Sequence, residues 1–83
     1  MTDGPIESAI FETLAGARAG SSVTPEDVAR RMDPEAWRRA IPRVKAVAVG
    51  LARAGRLEIL RKGKRVDPEQ VKGVIRLRLP PTP

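Results

Sequence analysis

Residues 42–61 read PRVKAVAVGLARAGRLEILR, and the spacing of the apolar residues changes inside this stretch. Up to Gly55 the apolar side chains recur every three or four residues, which predicts an amphipathic helix that ends at a glycine. Beyond Gly55, Leu57 and Ile59 alternate with charged residues, and this period of two predicts a strand with one buried face. The stretch therefore predicts a helix followed directly by a β-strand.

The residues before this stretch predict further helices. Pro5 suits the start of a first helix, whose apolar residues continue at helical spacing until a stop by Gly20. Thr24 then has the features of an N-cap, because Pro25 and two acidic residues follow it in a variant of the capping box. Asp33-Pro34-Glu35 repeats that signal, so we predict a short third helix with a break and a restart at Ile41-Pro42.

The residues after it predict a second strand and a long loop. Residues 74–79 again alternate, and we expect them to pair antiparallel with residues 56–61. The apolar positions Leu57, Ile59, Ile75 and Leu77 should face the helices, with Glu58, Arg76 and Arg78 forming ion pairs on the outer face. The basic segment between the strands looks too long for a tight hairpin, and residues 80–83 are predicted to be a disordered proline-rich tail.

This order of elements predicts an α+β winged helix-turn-helix. Three to four helices would be followed by a two-stranded antiparallel hairpin, the wing, in a single domain over residues 1–79. Five motifs stand out along the chain: TPEDVAR at 24–30, Trp37-Arg38 followed by Pro42, AGRLE at 54–58, GKRVDP at 63–68 and GVIRLRL at 73–79. Through these motifs the chain resembles a small bacterial family of domains of unknown function. The resemblance implies a short winged-helix protein, although Val74 stands where the pattern leads us to expect proline.

Composition limits the classes of function. The 83 residues contain no histidine and no cysteine, which excludes disulfides, Cys/His zinc sites and histidine-based catalysis. No paired carboxylates, phosphate-binding glycine loop or run of metal ligands is recognisable. We therefore expect a non-enzymatic protein without cofactor, metal or small-molecule substrate. The absence of a long apolar run predicts no membrane association and a cytoplasmic location.

The charge distribution favours a polyanionic partner. The net charge is +6, but residues 1–37 carry −4 and residues 38–83 carry +10. We predict that double-stranded DNA is bound through backbone contacts with weak sequence specificity, with transcriptional regulation as a candidate role. The candidate contacts lie on the recognition helix, its flanks and the wing: Arg38, Arg39, Arg43, Lys45, Arg53, Arg61, Lys62, Lys64 and Arg65.

Two features keep other interpretations open. The outward face of the predicted recognition helix carries small residues instead of the polar side chains that read bases. That face equally suits a protein-interaction or dimerisation module on the same fold, with a protein partner or a homodimer and no role in nucleic-acid binding. A solvated basic loop is the plainest interpretation of the wing. Trp37 could stack on a base, but both it and Phe11 are predicted to be core residues.

Overall fold

The computed structural model of the protein describes residues 4–18, 20–71 and 73–80. Helix α1 spans Gly4–Gly16, β1 spans Ser22–Val23, α2 spans Pro25–Met32 and α3 spans Trp37–Arg53. Strands β2 (Glu58–Arg61) and β3 (Lys64–Arg65), a 3-10 helix (Pro68–Gln70) and β4 (Arg76–Arg78) follow. The predicted α+β class is confirmed, and the arrangement is consistent with a winged helix. Of the predicted tail, residues 81–83 lie outside the described residues.

Helix α2 begins as its sequence predicts. The Thr24 hydroxyl accepts a hydrogen bond from the Asp27 amide at 3.0 Å, and the Asp27 carboxylate accepts one from the Thr24 amide at 3.0 Å. Pro25 occupies the first turn, where its missing N–H leaves no bond unmade. This reciprocal capping box fixes the start of α2, and the side chains of Val28 and Ala29 are buried against the other helices.

Helix α3 is continuous, so the predicted break at Ile41-Pro42 is wrong. Pro42 lies inside the helix and is exposed to solvent. Its ring removes the hydrogen bond to the Arg38 carbonyl, four residues earlier. Because Arg38 is also exposed, water can hydrate that carbonyl, and the buried residues Val44, Ala48 and Leu51 hold the rest of the helix against the core. Burial of one face thus outweighs a single missing bond near the first turns.

The sheet has four strands in the order β1-β4-β2-β3, which is larger than the predicted two-stranded hairpin. Strands β2 and β4 pair antiparallel as expected, with Ile59 opposite Leu77. Strand β1 adds to the free edge of β4 through Val23, which also lies opposite Leu77. Strand β3 pairs with β2 through a tight turn, so the basic segment that seemed too long for a hairpin begins with one.

One hydrophobic core lies between the three α-helices and the inner face of the sheet. The four strand residues predicted to face the helices, Leu57, Ile59, Ile75 and Leu77, are all at most 2% exposed. Trp37 and Phe11, predicted to be core residues, pack against this core but are only half-buried. Aliphatic side chains fill the centre instead. No helix in the described ranges is long and apolar enough to cross a membrane.

Candidate nucleic-acid interface

The hairpin between β2 and β3 presents a cluster of cations at its tip. Lys62 and Gly63 form its turn with φ values of 53° and 81°, and Arg61 pairs with Lys64 directly behind them. Positive φ at both central residues is what a type I′ turn requires, and this turn fits the twist of the strands. All four residues are exposed. We call Arg61, Lys62 and Lys64 the tip cations.

Strand register gives the tip cations a direction. Arg61 lies two residues after Ile59, so the two side chains share a face of the sheet, and Lys64 lies opposite Arg61 on that face. Ile59 and Leu77 occupy the same face and pack on the helices. Arg61 and Lys64 therefore extend the helix-facing side of the sheet beyond the core, where the sheet no longer covers apolar residues.

Helix α3 has an outward strip of exposed residues. The strip contains Arg39, Pro42, Arg43, Ala46, Gly50 and Arg53, at three- and four-residue spacing. Val49, next to Gly50 on the same helix, is half-buried against the core and does not belong to the strip. The first half of the strip is cationic, through Arg39 and Arg43, while its middle offers only small side chains. No described residue of the strip is a Ser, Thr, Asn or Gln.

Three of the predicted contacts are engaged within the chain. The Lys45 ammonium donates to the Gly73 carbonyl at 3.4 Å, and the Arg53 guanidinium pairs with the Glu69 carboxylate of the 3-10 helix at 2.5 Å. Both contacts hold the segment between β3 and β4 against α3. The Arg65 guanidinium pairs with Glu58 at 3.3 Å. The Arg53–Glu69 pair is exposed on both sides, and an ion pair of this kind contributes at most about 1 kcal/mol.

The outer face of the sheet is organised around Glu58. Its carboxylate accepts from the Arg78 guanidinium and from Arg65, and its side chain is only 11% exposed. The hydrogen bond from Arg78 lowers the pKa of Glu58 below its ordinary value of 4.5. The third predicted partner, Arg76, instead donates to the Ser22 carbonyl at 2.8 Å, because Ser22 on β1 is nearer than any carboxylate. The predicted ion pair of Arg76 is thus wrong.

Arginines also surround the only aromatic residue of α3. The Cζ atoms of Arg30 and Arg38 lie over the Trp37 ring, at 4.2 and 4.8 Å from its centroid. Arg30 belongs to α2 and was not among the predicted contacts, because it lies in the half of the sequence with net negative charge. The sequence offered one sign of this contact, which is that Arg30 lies seven residues before the single tryptophan. The arrangement joins α2 to the start of α3 through cation–π contacts.

Among the described residues, acidic side chains do not gather into a group of three that could hold a metal ion. Comparison with family models identifies a match over residues 3–80 to the family described as "Protein of unknown function (DUF3253)". The chain belongs to DUF3253. Nearly all of the structure described above is therefore DUF3253 domain, and the predicted resemblance to a family of unknown function is confirmed. No curated protein matches the chain.

Proposed function

We propose that this DUF3253 protein is a cytoplasmic, non-enzymatic protein that binds double-stranded DNA. It contacts mainly phosphates, with weak preference for sequence, and transcriptional regulation is the role that such binding would serve. The tip cations would reach the backbone beside a groove that receives the first half of α3. This use of a helix and a hairpin is how winged helices bind duplexes.

The observation that carries the proposal is the backbone conformation of Lys62. It is the only residue besides glycine with positive φ in the described chain. Glycine occupies this turn position at lower free energy because it has no Cβ, and asparagine or aspartate does so because its short polar side chain can hydrogen-bond to the nearby backbone. Lysine has neither advantage. The Lys62 side chain is exposed at the tip, so no packing offsets that cost. A lysine kept there at the expense of stability supports a role in binding phosphate.

Unpaired cations on α3 give further support. Arg39 and Arg43 form no ion pair with any described acidic residue, and both are exposed. With the three tip cations they make five guanidinium or ammonium groups available to phosphates. The small side chains of Ala46 and Gly50 offer no hydrogen bonds to base edges, which is why we propose weak specificity.

A salt series tests the proposal. Fluorescence anisotropy of two unrelated labelled duplexes, measured between 50 and 200 mM salt, should give a log–log slope of about −4 to −5 for wild type. Replacing Arg61, Lys62 and Lys64 together by glutamine should reduce that slope by about 2–3 units and weaken both duplexes alike. Glutamine at Glu7, which pairs with Arg56 at 2.7 Å, is a control that raises the net charge far from the tip.

One observation favours an alternative. Val74 is 82% exposed and borders a shallow groove of about 270 Å³ lined by Pro25, Ile41 and Ile75. The apolar lining of this groove and the exposed Val74 beside it would suit an apolar side chain of a protein partner. Binding of a protein partner or of a second copy of the chain is therefore the second candidate. No binding of wild type to either duplex at 50 mM salt would overturn the DNA proposal and leave this one.

A further inference from the structure

Arg30, Trp37 and Arg38 form a stacked cluster at the junction of α2 and α3. We infer that this cluster is a second phosphate-binding site, in which Arg30 and Arg38 bind backbone phosphate groups and Trp37 is a positioning residue. The inference rests on the proposed DNA binding and extends the footprint from the hairpin and α3 to α2. Arg30 is the new contact that it assigns.

Geometry brings the two cations together. Their Cζ atoms are 4.2 and 4.8 Å from the same ring centroid, so the sum of these distances, 9.0 Å, is the largest separation that the two atoms can have. This separation is about one Debye length at physiological salt, so the positive potentials of the two groups overlap. The overlapping potential around the ring attracts an anion that binds beside them.

The donors of both groups are available. Neither Arg30 nor Arg38 donates a side-chain hydrogen bond to a described residue, and the cation–π contact with the ring uses none of the five N–H groups of a guanidinium. Phosphate oxygens are recognised by those in-plane donors, often two at a time. Both arginines are exposed, so a phosphate can approach their edges. The ring restricts side chains that would otherwise be mobile, and it thereby lowers the entropy lost on binding.

The absence of an acidic partner separates these arginines from their neighbours. Arg31, the next residue on α2, pairs with Glu12 of α1 at 3.5 Å, and Arg53 and Arg56 also pair with glutamates. Within the described ranges, neither Arg30 nor Arg38 pairs with a carboxylate. Nearby Asp33 uses its carboxylate to accept from the amides of Glu35 and Ala36. The stacked cluster thus keeps its positive charge unneutralised.

Neutralising each arginine alone tests the site. With these two contacts the wild-type salt slope should be about −6, steeper than the −4 to −5 expected from the five cations of the hairpin and α3 alone. Arg30→Gln and Arg38→Gln should each reduce it by about 0.9, and the double variant by about 1.8. Arg31→Gln is the matched control, because it makes the same charge change one residue away on a side chain directed to α1; its slope should match wild type. Circular dichroism would verify that all four variants fold, as expected for exposed side chains.

The outcomes separate the two proposals. Wild-type binding with slopes unchanged by Arg30→Gln and Arg38→Gln would overturn this inference and leave the proposed function standing. Equal losses in the Arg31→Gln control would also overturn it, since the effect would then be one of net charge. No binding by wild type would overturn both.

Trp37 provides a readout at the site itself. Its fluorescence should change when duplex binds to wild type and should change less in Arg30→Gln. Trp37→Phe, which keeps a smaller ring, should reduce the slope partially, and a slope equal to wild type would refute the positioning role. Inorganic phosphate, added alone at constant ionic strength, is the second probe. If it changes the Trp37 fluorescence to saturation while Arg30→Gln has no effect on duplex binding, the DNA backbone is refuted as the source of the phosphate.

Discussion

Replacing Lys62 by asparagine should make the protein more stable and its DNA binding weaker. Lys62 adopts a φ of 53° in the turn between β2 and β3. The left-handed region costs most L-residues roughly 1–2 kcal/mol, and asparagine is several-fold enriched there. The substitution should therefore raise the free energy of unfolding by about 0.5–1 kcal/mol. For a domain of this size, that gain corresponds to an increase in Tm of about 2–8 °C.

The same substitution removes one phosphate contact. We expect the salt slope to fall by about 0.9, so that the loss of affinity relative to wild type is roughly 3.5-fold larger at 50 than at 200 mM salt. Calorimetry gives the Tm, and anisotropy on one duplex gives the slope.

Lys64→Asn is the matched control, because it removes an equal charge from the exposed strand β3. Asparagine is unfavourable in a strand, so this variant should lose affinity without gaining stability. A Tm for Lys62→Asn at or below that of wild type would refute the strain argument. A salt slope for Lys62→Asn equal to that of wild type would refute the role of the tip in binding.

Three further predictions concern stability. Thr24→Ala removes the hydroxyl that accepts from the Asp27 amide, and it should lower the free energy of unfolding in urea by about 1 kcal/mol. Thr24→Ser keeps a hydroxyl and should retain most of that stability. Pro42→Ala restores an amide to the exposed side of α3 and should raise the free energy of unfolding by about 1–3 kcal/mol; a decrease would show that proline is needed there. Because Arg78 lowers the pKa of Glu58, the native state binds that proton less readily than the unfolded chain. Stability from Glu58 should be complete above the ordinary pKa of 4.5 and be lost as pH falls through the lower native value. Chemical unfolding between pH 6 and about 3 should show a flatter profile in Glu58→Gln, and identical profiles would exclude the effect.

The sequence predicted the elements whose residues carry a local physical signal. The capping box at Thr24 and the change of spacing after Gly55 depend only on residues that are close together in the sequence. The structure follows both. The break at Pro42 was predicted by the same local reasoning and is wrong, because the packing of Val44 and Ala48 is a tertiary contribution that a local rule does not include.

Long-range pairing accounts for the other differences. Strand β1 is two residues long, and what makes Ser22 and Val23 a strand is the free edge of β4, more than fifty residues later. Arg76 was expected to bind a carboxylate, but that same edge brings the Ser22 carbonyl to it. Likewise Arg30 meets Trp37 only once α2 and α3 have packed. The partners of Ser22, Arg76 and Arg30 thus depend on tertiary contacts that the neighbouring residues in the sequence do not specify.

The cations of the candidate interface differ in kind from the basic residues elsewhere. An arginine-rich composition alone would leave cations scattered and paired wherever an acid is near, as Arg31, Arg56 and Arg78 are. At Lys62 the chain instead places a cation in a costly conformation, and beside Trp37 it holds two arginines that no described carboxylate neutralises. The first arrangement lowers stability, whereas the second leaves positive charge unneutralised at a cation–π contact between α2 and α3. Both expose donors suited to phosphate, which is expected where binding, and not folding alone, determines the residue.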